Sequence, residues 1–533
     1  SRARRVSSRP GKSNPTRRPV LSLLGGAAGL LGLPPGPASA QHAVDPSGKA
    51  GDVLGDGATF SASRLKGLAR LLAGTDFVDL DEPLPAALTG VTRRQYNTLL
   101  PKPDAMIWGT DGRTIGVQPL LRGPMFPQPV QLFLVENERI RSLAFRPDMF
   151  DLSALPADAE DLVDAGFSGF RLVATGGDGP PFPFAELQSA TFLHARAGGQ
   201  EFGPMARLLL VRPADRRGEE LPAFRAFWIE MPKRGENSIT CHALVDSPSI
   251  VAVLQCTLRP GTITVTDIET TLFPRETVDN IGYGGLGTSY FFGGTRRAPN
   301  RDLRLAAHKS DGLQVLTGKD EWLWRPLDNP ETLQLSAFID RSPKGFGFVQ
   351  RSRSFDDFLD DIRRYELHPS VWLEPFSDWG EGSVQLIEIP SESEFNENAL
   401  SYWRSDTPLE KGNEFSITYR LNWCWAPPTV PQDFTVVSTR VGTVPEHSVS
   451  DTQFVVDFAS ADFPAFATAG IAYALEASAG TIVSSQLVLL PERNSARVRF
   501  TLDPDGGDSA ELRLSLKQGD LTISETWLYR WTP

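Results

Sequence analysis

The feature that most constrains this chain is its punctuation. Its 47 glycines and 43 prolines are spread along the sequence rather than gathered into tracts. They break it into short runs that alternate apolar and polar residues. Such runs are Val130-Gln131-Leu132-Phe133-Leu134-Val135, Gly169-Phe170-Arg171-Leu172-Val173, Thr262-Ile263-Thr264-Val265-Thr266 and Leu333-Gln334-Leu335-Ser336-Ala337-Phe338. A period of two bounded by turn residues is the signature of half-buried strands. Only two stretches carry helical spacing: residues 60–73, with Phe60, Leu65, Leu68, Leu71 and Leu72, and residues 354–366, where Ser354 caps a face of Phe355, Phe358, Leu359, Ile362 and Tyr365. Two helices among so many strands exclude a βαβ array. The expected class is mostly β, a large antiparallel sandwich.

The ends of the chain differ from its middle. Residues 1–40 run from basic (Arg2, Arg4, Arg5, Arg9, Lys12, Arg17, Arg18) through an apolar stretch, Val20 to Leu33, to Ala38-Ser39-Ala40. That order is a cleavable export signal, too short in its apolar part to span a bilayer, and the Arg17-Arg18 pair points to the twin-arginine route. Residues 41–424 form the expected large sandwich, and the prolines at 427, 428 and 431 mark a linker over 425–434. Residues 435–533 alternate cleanly in the runs 453–458, 496–500, 511–516 and 521–531, the rhythm of an immunoglobulin-like β-sandwich without its cysteine pair.

Charge and cysteines narrow the partners. Removing the seven basic residues of the signal takes the net charge from −12 to −19. A chain this acidic is unsuited to nucleic acid or anionic lipid, and no later segment is apolar enough for membrane insertion, so a neutral ligand is expected. Cys241, Cys256 and Cys424 read as core residues, with a Cys241–Cys256 bridge as the alternative. The six histidines show no metal spacing, and no metal or cofactor is expected. Gly282-Tyr283-Gly284-Gly285-Leu286-Gly287 matches the dinucleotide fingerprint formally, but Thr288-Ser289-Tyr290-Phe291-Phe292 after it is strand-like rather than helical. A loop or bulge is the better reading.

Aromatic residues and carboxylates concentrate between about 288 and 425. Trp372, Trp379 and Trp403 are candidates to stack on sugar rings, lying among Asp311, Glu388, Glu394 and Glu397. Glycosidic cleavage needs a carboxylic acid to protonate the leaving oxygen, and usually a second carboxylate to activate water or attack. Within this region the run Arg364 to Pro375, the run Asp378 to Val384 and Ile387-Glu388-Ile389-Pro390 resemble the osmoregulated periplasmic glucan biosynthesis proteins G and D. So do Phe145-Arg146-Pro147, the run Gly166 to Arg171, the run Leu244 to Ile250, the run Pro343 to Gly347, and the run Ser524 to Tyr529. The similarity runs in order from about residue 58 to the end, and the export signal leans toward the D type.

The resemblance implies a β-supersandwich followed by an immunoglobulin-like domain, a cleft between them, a periplasmic location and β-1,2-glucan as ligand. It further implies endo-β-1,2-glucanase or transglycosylase activity, work alongside the inner-membrane glucan synthase, and a homodimer in which one subunit's loop covers the other's cleft. The matching loop here, Gly442 to Ser450, looks shortened. Carried over by position, Glu397 of Glu394-Phe395-Asn396-Glu397-Asn398 takes the place of the general acid, an Asp in the family. The extra methylene moves the donor by about 1 Å, enough to cost about 10²-fold uncompensated. His308-Lys309-Ser310-Asp311 puts Lys309 at the position of the base, also an Asp, and a protonated amine cannot activate water. Tyr365 matches a cleft tyrosine and His368 replaces an arginine. Transfer of a glucan chain, in cyclisation or branching with weak hydrolysis, is the first expectation. The alternatives are hydrolysis with Asp311 as substitute base, on the same side of an extended strand as Lys309, and a non-catalytic glucan-binding scaffold.

Overall fold

The computed structural model describes residues 54–533 apart from 80–81, 110–111, 156–161, 163–164, 177–178, 300–301 and 444–450. The expected export signal and most of the loop read as shortened lie outside the described residues. Two large sheets dominate. One has eleven strands and runs from Ile107–Trp108 at one edge to Gln334–Arg341 at the other; the second has fifteen and runs from Ala472–Ala477 to Arg139–Ser142. Nearly every pairing is antiparallel. Among the described residues the parallel strand pairs join Ala223–Glu230 to Gln131–Glu136, and Trp322–Pro326 to Thr526–Trp531, and a single parallel bridge joins Phe434 to Ser524.

The sheets face each other across one extended core, with Phe170, Leu187 and Trp403 from the first meeting Phe227, Tyr419 and Trp423 from the second. Burying each such side chain contributes roughly 1.5–3 kcal/mol. The helix expected at 60–73 is present as Ala62–Ala73. It lays Leu65, Leu68 and Leu72 on Trp228 and Phe133 at the outer face of the fifteen-stranded sheet. The Gly282–Gly287 run lies in the strand Ile281–Thr288, with a bulge between Tyr283 and Leu286, as its lack of a following helix implied.

The helix expected over 354–366 is not formed. Two 3-10 turns, Phe355–Asp357 and Tyr365–Leu367, bracket irregular chain in which Leu359 and Arg364 adopt left-handed backbone. The reason lies in the aspartates. Asp357 accepts the Ser354 N–H at 2.9 Å, and Asp360 accepts the N–H groups of Ile362 and Arg363 at 3.0 and 2.9 Å. These local side-chain bonds replace helical ones. Phe358 and Tyr365 are buried while Ile362 points to solvent.

The chain has no strand between Trp425 and Asp433, then forms a four-stranded sheet in the order Thr435–Thr443, Thr452–Ala459, Ser495–Asp503, Thr481–Leu490. This sheet packs Phe454, Phe500 and Val498 against Leu512, Leu514, Trp527 and Tyr529. Those last residues belong to strands that continue the fifteen-stranded sheet, so the C-terminal layers are stitched into the main sandwich by the Trp324–Trp527 pairing. Residues 521–531 are not one strand. Leu521–Thr522 and Thr526–Trp531 are separated where Glu525 turns its carboxylate inward.

The three cysteines are buried and unbridged, and Cys241 stands opposite Cys256 on adjacent strands.

Candidate functional site

The site is organised by a bend, Lys309 to Asp311, between the strands Ala307–His308 and Gly312–Leu316. His308 and Ser310 turn inward and anchor it. The His308 ring stacks on Tyr290 with centroids 5.0 Å apart, and Ser310 Oγ lies 2.8 Å from Thr288 Oγ1. Backbone bonds fix both ends: Lys309 N–H donates to Ser289 at 2.9 Å, and Asp311 N–H to Val349 at 3.0 Å.

Opposite the bend, Glu397 is positioned by its C-terminal neighbour. The buried Asn398 carboxamide accepts the Tyr290 N–H at 2.8 Å and donates to the Tyr290 carbonyl at 2.9 Å. Lys309 Nζ therefore meets Glu397 Oε1 in an ion pair whose side chains are only 18 and 15 % exposed. The other oxygen, Oε2, is buried without a partner.

Asp311 is employed differently. Oδ2 accepts the N–H groups of Arg351 and Ser352 at 2.6 and 2.7 Å, and Oδ1 accepts the Ser352 hydroxyl at 2.9 Å. The segment is a bend rather than an extended strand. Lys309 is directed to Glu397 and Asp311 to the 351–352 backbone, so the expected side-by-side placement does not arise.

Tyr365 and His368 form the adjoining wall. Tyr365 is buried among Phe292, Ala307 and Phe358, its hydroxyl pKa pushed up by burial, and it meets His368 edge-on at 5.2 Å. Burial, then the positive charges of Lys309 and Arg353, push the His368 pKa down to about 3, so the ring is neutral. Its Nδ1 has no partner.

The three tryptophans do not face a ligand. Trp372 and Trp403 are 0 % exposed and Trp379 is 7 % exposed. Trp379 packs on Tyr283, Trp403 and Tyr419, while Trp372 stacks on Trp322. Trp403 is turned by its strand into the sandwich core, Trp379 enters it from the loop before Glu381–Glu388, and Trp372, between the core residues Val371 and Leu373, is buried on the opposite face of its sheet. Glycines make room for two of them: the Trp372 ring covers Gly345 and the Trp403 ring covers Gly382. Their assignment as sugar platforms is corrected to buried packing, and Gly345 and Gly382 of the 343–347 and 378–384 motifs are its counterpart.

The structure adds residues that the sequence did not single out. Arg353 donates to the carbonyls of Glu366 and Trp425 at 3.1 and 2.7 Å, and burial pushes its pKa down to about 10. His194, on the strand Phe192–Ala195, is half-buried with its Nε2 shielded and unpartnered, near enough to feel the charges of Lys309 and Glu397. An isolated Arg or His carries no spacing signal, so neither was detectable. Asn398 matches the residue that follows the acid in the family's pattern, and that match could have exposed it as a scaffold residue. Among the described residues no His, Cys, Asp and Glu side chains gather into a metal-binding group.

Residues 60–531 match the family described as "Periplasmic glucan biosynthesis protein, MdoG". The chain is similar to "Glucans biosynthesis protein G" of Shewanella frigidimarina, 36 % identical over 486 residues that cover 89 % of this chain and 85 % of that one. It is 37 % identical to the protein of the same name from Vibrio cholerae over 474 residues, covering 87 and 85 %. A galactose mutarotase related enzyme from Lactobacillus acidophilus matches 48 % of this chain and 94 % of its own at 8 % identity, with a TM-score of 0.22, too low to support an argument.

Proposed function

Because the chain belongs to the MdoG family of periplasmic glucan biosynthesis proteins, we propose that it holds a β-1,2-glucan chain in the periplasm without hydrolysing it, as a binding partner of the glucan synthase. The observation that carries this reading is the Lys309–Glu397 ion pair. The pair joins an ammonium to a carboxylate, whereas a proton donor to a leaving oxygen has to be a carboxylic acid. Asp311 is not free to act as the base, because it is committed to Arg351 and Ser352. An acidic chain and a neutral His368 suit an uncharged polysaccharide.

One observation favours a second reading, chain transfer. Glu397 Oε2 is buried and unpartnered, so it would carry the proton for bond cleavage once an incoming glucan displaces Lys309. A sugar hydroxyl would then be the acceptor instead of water. Incubating the protein with linear β-1,2-glucan and weighing the products separates the readings. Unchanged substrate, with binding seen by calorimetry, is expected. Products lacking one water relative to linear chains would establish transfer, with loss of activity in Glu397→Gln. Shorter linear chains would overturn the non-hydrolytic proposal.

A further inference from the structure

Trp425 is a tryptophan near this site with an exposed ring, 39 % exposed, while Trp423 two residues before it is fully buried. It lies just beyond the strand Phe415–Cys424, where the chain leaves the large sandwich for its C-terminal layers. Its surroundings are built. The Arg353 guanidinium sits 5.1 Å from the centroid of the indole, and Gly199 lies along the ring edge, where a Cβ would come within 3.8 Å of Cζ2. Gly199 has φ of +79°, a backbone that favours glycine, so the edge is kept bare of a side chain.

The same arginine ties Trp425 to the Lys309–Glu397 site. Arg353 donates to the carbonyl of Trp425 at 2.7 Å and also to the carbonyl of His368. A second tie runs in parallel: Glu201 N–H donates to the Leu367 carbonyl at 3.1 Å, and Gly203 lies so close to His368 that a Cβ there would approach its Cβ to 2.8 Å. The segment from Gly199 to Gly203 thus touches Trp425 at one end and His368 at the other. Four residues span at most about 14 Å, a distance of a few sugar rings.

We infer that Trp425 is a distal stacking subsite for a pyranose ring of the same glucan chain that occupies the Lys309–Glu397 site. An indole with a cation on one side and solvent on the other presents a flat apolar face to the C–H groups of a sugar ring. Arg353, held by three backbone carbonyls, fixes that face at a set distance from His368. The subsite is specific for chain length: a short oligosaccharide seated on the Lys309–Glu397 pair does not reach it, and a longer one does. This rests on the proposal that the site holds a glucan.

Calorimetry with linear β-1,2-glucans of two to about twenty units tests it on the parent, Trp425→Ala and Trp425→Phe. Trp425→Ala should weaken long chains about tenfold and leave the shortest binding oligosaccharide unchanged, while Trp425→Phe should stay within about threefold of the parent throughout. Equal binding of every length by the parent and Trp425→Ala would overturn the subsite and leave the glucan reading standing. An equal loss at all lengths in both variants would make Trp425 a structural residue and overturn it likewise. A parent that binds no length would overturn the glucan reading, and the subsite with it.

Discussion

Glu525 offers the sharpest test of how the site is held to the C-terminal layers. Its carboxylate is fully buried and accepts four hydrogen bonds: from Gln314 Nε2 at 2.6 Å, from Arg351 Nη1 and Nη2 at 2.9 and 2.7 Å, and from Val436 N–H at 2.8 Å. Arg351 also lies 3.5 Å over the Trp324 ring, and its own N–H caps Asp311. Arg351→Met leaves a buried charge with two neutral donors, which costs about 3–5 kcal/mol, and forfeits a cation–π contact worth about 0.5–2 kcal/mol. Removing both charges, in Arg351→Met/Glu525→Met, should recover much of this, because no isolated ion remains. Urea unfolding monitored by tryptophan fluorescence reads the stabilities, with Trp324 and Trp527 in the affected core. Asp311 is held by backbone N–H groups, so glucan binding below the transition should be unchanged. An Arg351→Met protein within about 1 kcal/mol of the parent, or a double variant no better than the single one, would refute the reasoning.

Three further outcomes are expected. Lys309→Asp removes the ammonium and restores a carboxylate to the bend, and should raise release of reducing ends from linear β-1,2-glucan at least about tenfold; no increase would mean that the missing base is not what suppresses hydrolysis. His368 has a folded pKa of about 3, below the unfolded value near 6.5. Its contribution to stability is therefore complete above pH ~6.5 and is lost as pH falls toward 3. His368→Asn should flatten the acid-side slope by about 1.4 kcal/mol per pH unit, and an unchanged slope would contradict the assignment. Gly284 has φ of +60°, and a side chain there would run into Leu373. Gly284→Ala should cost more than about 2 kcal/mol in urea unfolding, whereas a flexible loop would tolerate it.

What the sequence revealed and what it concealed divide along physical lines. Alternation with a period of two is written locally, so the strands Gln131–Glu136, Phe167–Ala174 and Ala510–Gln518 fall where their patterns put them. The 354–366 segment misleads because helical spacing registers apolar positions but not the competition from Asp357 and Asp360 for the same backbone N–H groups. The short helix Phe463–Ala469 carries too few turns to give a periodic signal. At the site, Lys309 and Glu397 are legible as substitutions at motif positions, but their mutual ion pair depends on Asn398 and Ser310, which act through tertiary contacts. The tryptophans show the reverse limit. Composition identifies an aromatic-rich region, while strand alternation decides where Trp372 and Trp403 point and facing glycines make room for their rings.

The parallel pairing of Trp322–Pro326 with Thr526–Trp531 has a consequence for the timing of maturation. Until the ribosome has delivered Trp527, the strand carrying Trp324 presents an unpaired margin, which is a template for another chain. The seam cannot be completed from its first half, however long the nascent chain waits, and so distant a contact closes slowly. A protein built this way gains from finishing in one compartment before it is moved to the next.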